Sequence, residues 1–289
     1  MAIIVDQATK LVVQGLTGSE GSFHGLRNKR YGTQVVAGVT PGKGGQDVEG
    51  VPIFDTVVDA VRETGANTTM VFVPARFAAD AIYEAVDAGI ETVICIAEGL
   101  PAHEMLRVYT YIRPRGVTML GPNCPGALSP GKANVGIIPA EIFTSGSIGL
   151  VSRSGTLTYQ IGHELTQMGL GNSTIVGIGG DPIVGSSFID ILAKFEADPE
   201  TEYVVMVGEI GGDEEEKAAE YISAHMTKPV VAYIAGFTAP AGKTMGHAGA
   251  IISGSSGTAQ GKQEALEAKG IRVGTSPTEV AQFAAELAG

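Results

Sequence analysis

The sequence predicts an α/β protein with two parallel sheets, each covered by helices on both faces. Short runs rich in Val and Ile alternate with helical patterns from end to end, as repeated β-α-β units require. The 289 residues are long for one core and suit two domains of roughly 130–150 residues each. The 41 glycines exceed the usual share of about 7% and follow apolar runs, which is typical of tight strand-to-helix turns.

The first domain is expected to span residues 1–123. Buried apolar runs predict its strands, and apolar residues at helical spacing predict the helices between them. The strands are expected at Lys10–Gln14, Gln34–Val39, Thr69–Val73, Thr92–Ala97 and Val117–Leu120, and the helices at Phe77–Ala88 and His103–Arg113. Residues 124–146 belong to a stretch rich in Gly and Pro without a long periodic segment, so we expect a linker and crossover there.

The second domain is expected to span residues 147–289, where the alternation resumes. Its strands are expected at Ile148–Val151, Asn172–Gly177, Tyr203–Val207, Val230–Ala235 and Ile271–Val273. Its helices are expected at Tyr159–Met168, Ser187–Phe195, Glu214–Met226, Gly261–Lys269 and Pro277–Leu287.

Charge and composition exclude several classes of protein. The net charge of −12 argues against nucleic acid as a partner. No apolar run approaches the roughly 18–20 residues of a membrane span, and residues 1–10 are too short and polar for a signal peptide. Cys95 and Cys124 do not make a disulfide framework, which favours a reducing compartment. We expect a cytoplasmic protein, or a mitochondrial-matrix protein if the source is eukaryotic and the chain is already processed.

A glycine-rich turn follows the first strand, with Gly15, Gly18 and Gly21 at the spacing G-x-x-G-x-x-G. Such a turn lets a diphosphate approach the N-terminus of the next helix. An NAD site needs an acidic residue at the end of the second strand, whereas this chain has Lys43 there. A lysine suits a phosphate on the ribose, which CoA and NADP carry and NAD lacks. Both ligands stay open on this argument, although no hydride-transfer site is apparent downstream.

One of the five histidines is a candidate nucleophile. Four lie among helix-forming residues and are expected at the surface or hydrogen-bonded: His24, His103, His163 and His225. His247 instead lies between Gly246 and Ala248 in a loop, where small neighbours let the imidazole meet a phosphoryl group. Glu209 follows a strand at the ligand-binding edge of the sheet and would accept a hydrogen bond from one ring nitrogen, so that the other nitrogen attacks. The alternative for Glu209 is a cap on the helix that begins near Asp213.

Two further loops concern anions. Ser154, Gly155 and Thr156 open a helix after a strand, so their N–H groups and outward hydroxyls predict a site for inorganic phosphate or a phosphohistidine. Residues 236–244 nearly match the P-loop that binds nucleotide phosphates, but five residues separate the two glycines where the motif has four. We therefore expect no nucleotide site of that type in this chain, and no metal-ligand cluster. Any nucleotide substrate would have to bind elsewhere.

Several segments resemble one family in the right order and spacing. Gln14–Gly21, Gly38–Gly45, Ile96–Pro101 and Gly121–Gly126 resemble the CoA-binding domain of succinyl-CoA synthetase (succinate–CoA ligase, NDP-forming) α subunits. Lys243–Ala250 is similar to the phosphohistidine loop of that family. The resemblance covers essentially the whole chain. It implies an N-terminal Rossmann-like CoA-binding domain followed by a flavodoxin-like parallel α/β domain.

The resemblance also implies roles for individual residues. CoA would be bound by Thr17, Gly18, Ser19, Glu20, Lys43, Ile96, Ala97 and Glu98, with Ala97 standing where many relatives have Thr. The acyl group and phosphate would be bound by Asn123, Cys124, Pro125, Ser154, Gly155, Thr156 and Tyr159. A covalent role for Cys124 is the less favoured alternative to a buried, inert thiol. His247 would be phosphorylated, and Glu209 would orient it.

The reaction that this resemblance implies has three steps. Phosphate attacks succinyl-CoA to give succinyl phosphate and CoA, His247 takes the phosphoryl group, and a β subunit of the ATP-grasp type passes it to ADP or GDP with Mg²⁺. Run backwards, the enzyme activates succinate. The alternatives are another acid–CoA ligase, such as malate–CoA ligase, and a non-catalytic CoA-sensing protein. An intact His247 loop with Glu209 weighs against a protein that only binds CoA.

Overall fold

The computed structural model describes residues 2–240, 242–252 and 257–288, and within these ranges the chain forms two sheets of seven strands each. The first sheet contains β1 Lys10–Gln14, β2 Gln34–Val39, β3 Asp47–Val48, β4 Val51–Phe54, β5 Thr68–Val71, β6 Thr92–Cys95 and β7 Thr118–Leu120. Their order is β3-β4-β2-β1-β5-β6-β7. Neighbouring strands are parallel except for β3, which runs antiparallel to β4.

The second sheet contains β8 Gly126–Ser129, β9 Ala133–Gly136, β10 Ser145–Ser152, β11 Asn172–Gly177, β12 Tyr203–Glu209, β13 Val230–Ala235 and β14 Arg272–Gly274. Their order is β14-β13-β12-β10-β11-β8-β9. The five strands from β14 to β11 are parallel, and β8 and β9 add an antiparallel edge.

Helices cover both sheets and bury their apolar faces against them, because their apolar residues recur at helical spacing. They are α1 Ser19–Tyr31, α2 Val57–Thr64, α3 Ala75–Asp87, α4 Ala102–Ile112, α5 Gly155–Gln167, α6 Phe188–Ala197, α7 Glu214–His225, α8 Ala259–Glu267 and α9 Pro277–Ala288. Side-chain hydroxyls cap the N-termini of five of them, at Thr56, Ser154, Ser187, Thr258 and Ser276. Across the described residues, none of the helices has the length and apolar content that crossing a bilayer takes.

The predicted fold class is confirmed: two sheets with mostly parallel strands alternate with helices, in the order that a Rossmann-like and then a flavodoxin-like domain requires. The segment 124–146, expected as a linker, contains the hairpin β8–β9, which extends the second sheet. No sequence pattern predicted this hairpin, and none predicted β3, β4 or α2. Strands of two to four residues are too short to show an alternating pattern.

Each sheet has one point where the strand order reverses, and ligands bind at such points in open α/β sheets. In the first sheet the reversal lies between β1 and β5, so the turns after Gln14 and Val71 lie next to it. In the second sheet it lies between β10 and β12, which end at Ser152 and Glu209. The expected ligand loops therefore occupy the two positions that the topology favours.

Candidate active site

A cleft of about 510 Å³ opens at the reversal point of the first sheet. One wall is the glycine-rich turn after β1, with Gly15, Thr17 and Gly18, and the opposite wall follows β5. Gly18 is the N-cap of α1 and has no side chain to accept from the first helical N–H groups, which leaves them available to an anion. A Cβ atom at Gly21 would lie 2.2 Å from the Gly15 carbonyl oxygen, so the helix packs on the turn only with glycine there.

Lys43 lies at the rim of this cleft, beside a residue that lines it. Its ammonium donates to Oγ1 of Thr17 at 3.2 Å, and that hydroxyl donates to Oγ1 of Thr40 at 3.1 Å. Ser19 and Glu20, in the first turn of α1, are exposed nearby in the chain. The structure therefore brings Thr17 and Lys43 together, as the sequence predicts, with a cation at the mouth of the cleft.

Asn123 connects the first sheet to the loops of the second. Its N–H donates to the Ala97 carbonyl at 3.0 Å, and its own carbonyl accepts from the Gly180 N–H at 3.1 Å. Its side-chain amide donates to Oδ1 of Asp181 at 3.1 Å. The pKa of Asp181 is raised, chiefly by burial, and the negative charge of Glu98 adds to the rise. Residues 96–98 and Asn123, predicted to contact CoA and its acyl group, thus lie beside the loop 180–181.

Cys124 is buried beneath this junction. Its thiol donates to the Cys95 carbonyl at 3.4 Å, and burial raises its pKa far above the ordinary value for a thiol. Burial also raises the pKa of Cys95 to about 12. A thiol that stays protonated is a poor nucleophile, which favours the inert structural interpretation of Cys124.

His247 and Glu209 form the most distinctive pair in the second half. Nδ1 of His247 lies 2.7 Å from Oε2 of Glu209, whose side chain is only 6% exposed, while the imidazole is 23% exposed. This hydrogen bond raises the pKa of His247, and burial opposes the rise. Glu209 is the last residue of β12, and its carboxylate turns to His247 rather than to the helix that starts after Asp213.

Arg153, which directly follows β10, completes the charge arrangement around Glu209. Its Nε lies 3.6 Å from Oε1 of Glu209, and both side chains are buried. Its Nη2 donates to the Asp181 carbonyl at 3.0 Å. The carboxylate of Glu209 therefore lies between a guanidinium and an imidazole, and the charge of Arg153 lowers the pKa of His247 in opposition to Glu209.

Gly180 provides the space for the imidazole. A Cβ atom at this position would lie 2.2 Å from Cγ of His247, which no side-chain contact tolerates. The loop that carries His247 also bonds to this glycine, because the Gly249 N–H donates to the Gly180 carbonyl at 3.1 Å. The loop 177–182 is thus in direct contact with the candidate nucleophile.

The start of α5 differs in one respect from the expectation. Oγ of Ser154 accepts from the Leu157 N–H at 3.3 Å, so the hydroxyl caps the helix instead of pointing outward. The helix needs this acceptor because its first N–H groups have no partner within the helix. Thr156 is exposed. A Cβ at Gly155 would meet Pro125 at 3.6 Å and the Tyr159 hydroxyl at 3.7 Å, which places these three residues side by side.

Two family models match the chain. Residues 6–99 match a CoA binding domain, and residues 151–272 match a CoA-ligase domain. A protein of Archaeoglobus fulgidus named succinate–CoA ligase (ADP-forming) subunit alpha 2 is 60% identical over 287 residues, which is 99% of this chain and all of that protein. The chain belongs to the family of succinate–CoA ligase α subunits. A member from Aquifex aeolicus is 59% identical, and the aligned region covers 99% of this chain and 95% of that protein.

Solved structures of other proteins share this fold. ATP citrate lyase from Methanothrix soehngenii, in complex with citrate and coenzyme A, has a TM-score of 0.85 and 25% identity over 99% of this chain. This chain spans about half of that protein, 52% of its length. A dinucleotide-forming acetyl-coenzyme A synthetase from Ca. Korarchaeum cryptofilum, with a TM-score of 0.72 and 22% identity, shares the fold.

Four residues near the pair of His247 and Glu209 were not predicted from the sequence. They are Arg153, Asp181, Glu215 and Lys262. Arg153 and Asp181 lie in loops, where no periodic pattern marks a residue. Glu215 and Lys262 lie in helices rich in charged residues, but each is on the same helix face as buried apolar residues. That spacing is the sequence pattern from which their burial could have been predicted. Within the described ranges, no group of three or more His, Cys, Asp and Glu side chains is arranged to hold a metal ion.

Proposed function

We propose that this chain is the catalytic α subunit of a succinate–CoA ligase that interconverts succinyl-CoA, NDP and phosphate with succinate, CoA and NTP. The observation that carries the proposal is the 2.7 Å contact of His247 Nδ1 with Glu209 at the reversal point of the second sheet. The names of the relatives favour succinate over malate as the acid. A protein that only bound CoA would not need this pair.

CoA would bind in the cleft after β1. Thr17, Gly18, Ser19 and Glu20 would contact its diphosphate through the start of α1, and Lys43 would contact a phosphate group. Ile96, Ala97 and Glu98 would line the path of the pantetheine arm towards Asn123. The loop contacts of Asn123 with Ala97 and Asp181 support this path, because they join the CoA loops to the candidate nucleophile.

Phosphoryl transfer would start from inorganic phosphate held near Ser154, Gly155 and Thr156, with Asn123, Cys124, Pro125 and Tyr159 around the acyl group. A phosphate oxygen attacks the thioester carbonyl, the C–S bond breaks, and CoA leaves as a thiolate that takes a proton. Nε2 of His247 then attacks the phosphorus of succinyl phosphate, and succinate leaves. Glu209 keeps the proton on Nδ1 and stabilises the positive charge that develops on the ring.

The second substrate would bind to a partner chain. The name of the family, an α subunit, supports a β subunit as that partner. We assign to it an ATP-grasp fold that binds ADP or GDP with Mg²⁺ and accepts the phosphoryl group from His247. The loop 242–249 would lie at the interface, where most of its described residues are exposed in the isolated chain. We also propose domain limits at residues 1–123 and 147–289 and a location in the cytoplasm, or in the mitochondrial matrix of a eukaryotic source.

Labelling of the co-purified complex tests the proposal. With Mg²⁺ and γ-labelled ATP, the chain should acquire one acid-labile phosphate, and succinate with CoA should discharge it. The variant His247→Asn should acquire no label, whereas His225→Asn, at the end of α7, should be labelled normally. Label retained in His247→Asn, or no discharge by any diacid with CoA, would show that the proposal is wrong.

A further inference from the structure

A fully buried ion pair lies beneath the candidate active site. Glu215 on α7 and Lys262 on α8 have no exposed side-chain surface, and the ammonium of Lys262 contacts Oε2 of Glu215. Burial raises the pKa of Glu215, and the charge of Lys262 opposes that rise. Replacing a buried ion pair with apolar residues is often neutral or stabilising, so such a pair is weak evidence for a role in stability alone.

The pair binds the backbone on both sides of Ile210. Oε1 of Glu215 accepts from the Glu209 N–H at 3.0 Å, and Nζ of Lys262 donates to the Gly211 carbonyl at 2.6 Å. These bonds fix the end of β12 at the residue whose carboxylate meets His247. The two charged groups thus each satisfy one polar group of the turn after the strand.

The same turn supports the loop that carries the nucleophile. A Cβ atom at Gly211 would lie 2.1 Å from the Gly249 carbonyl oxygen and 3.0 Å from the Ile251 nitrogen. Gly249 is two residues beyond His247, so a displacement of Gly211 displaces the base of the His247 loop. The ion pair therefore contacts the backbone of Glu209 directly, and it reaches the His247 loop indirectly through the packing of Gly211 against Gly249.

We propose that Glu215 and Lys262 are positioning residues, which hold the turn 209–211 so that Glu209 and His247 meet in the orientation for phosphoryl transfer. The inference rests on the proposed function of His247. It assigns to the pair a task that a structural core pair does not have: setting the distance between the imidazole and its carboxylate partner.

The double variant Glu215→Met/Lys262→Met tests the role without leaving an unpaired buried charge. It should be prepared as the complex with the β subunit, alongside Lys269→Met as a control. Lys269 forms an exposed 2.8 Å ion pair with Glu220 of α7. Four quantities are measured: the unfolding temperature, the rate of His247 labelling by γ-labelled ATP with Mg²⁺, the affinity for CoA, and the pKa of His247 by NMR of isotope-labelled histidine.

The double variant should unfold at a temperature near that of the unsubstituted complex and bind CoA normally. Its labelling rate should fall by up to about 100-fold, the cost expected for misplacing a reacting group by about 1 Å. The pKa of His247 should fall towards its ordinary value, because the hydrogen bond that Nδ1 donates to Glu209, which raises this pKa, is loosened. Lys269→Met should change none of these quantities.

A normal labelling rate with an unchanged pKa of His247 in the double variant would overturn the inference. If that variant does not fold, Glu215→Gln and Glu215→Leu decide the matter. The amide oxygen of Gln still accepts from the Glu209 N–H, so Gln should retain most of the labelling rate and Leu should lose it; equal rates would overturn the inference. An unlabelled unsubstituted complex would instead overturn the proposed function, so the two failures are distinguishable.

Discussion

Nδ1 of His247 and Oε2 of Glu209 lie 2.7 Å apart, although 38 positions separate the two residues in the chain. The carboxylate accepts from Nδ1–H, so the lone pair of the neutral ring is on Nε2. The same bond raises the pKa of the imidazole. Since only the neutral ring attacks, the labelling rate should rise with pH through this raised pKa and level off above it.

Glu209→Gln should move that pH dependence downwards. Glutamine removes the charge that favours the protonated ring, so the pKa of His247 should fall and the rising limb of the labelling rate should shift to lower pH. The maximal rate should fall on the order of 100-fold, because the ring loses its oriented carboxylate partner. Single-turnover labelling across pH measures both effects. An unshifted limb would exclude Glu209 as the group that sets the pKa of His247.

Arg153→Met should have the opposite effect on pH dependence. The guanidinium lowers the pKa of His247, so its removal should raise that pKa and move the rising limb to higher pH. The protein should also lose about 3–5 kcal/mol of stability, because a buried ion pair is broken. Arg113→Met, which removes an exposed ion pair with Asp190, is the control and should leave the labelling profile in place. A downward shift in Arg153→Met would contradict this electrostatic role.

Lys43→Ala should weaken CoA binding by about 1–3 kcal/mol, the contribution of a charge-assisted hydrogen bond. Lys43 donates to Thr17 at the rim of the cleft and is free to turn towards a phosphate. Titration calorimetry with CoA and with dephospho-CoA measures the effect, and the loss should be smaller for the ligand that lacks the ribose phosphate. Arg30→Ala, at the far end of α1, should bind both ligands normally. Unchanged CoA affinity together with tight NAD binding would reverse the interpretation of this cleft.

Gly180→Ala should displace the imidazole without unfolding the protein. The new Cβ would lie 2.2 Å from Cγ of His247, and the ring can move outward because the loop residues before it are exposed. The labelling rate should therefore fall by more than about tenfold. Thermal unfolding should shift by no more than about 4 °C, which corresponds to roughly 1 kcal/mol for a protein of this size. A normal labelling rate would mean that the imidazole does not need this position.

The long parallel strands could be predicted from the sequence because they are largely buried and each contains a run of apolar or β-branched residues. β1, β2, β11 and β13 have the predicted limits. The strand predicted at Tyr203–Val207 was too short, since β12 continues to Glu209 and the carboxylate of Glu209 is buried. The hairpin β8–β9 could not be predicted, because its strands contain mostly small residues and gain their stability from pairing with β11.

The partner of His247 was predictable from its position after a strand, but its electrostatic surroundings were not. Arg153 and Glu209 become neighbours only because β10 and β12 pair in the sheet, and sequence periodicity does not give that pairing. The burial of Lys262 is likewise a tertiary effect. Its helix reads as a surface helix, although the lysine shares the buried face with Ala259 and Leu266.

The crossover 121–123 determines which motions the molecule can use. Its backbone bonds to the first sheet through Ala97 and to the second through the carbonyl of Ile178 and the amides of Gly180 and Gly185. A hinge opening between the two halves would break these bonds together. The bonds therefore oppose gating by interdomain closure, which is common in two-domain enzymes. In the proposed reaction, carrying a phosphoryl group away from the acyl site is left to the loop of His247 and to the second subunit.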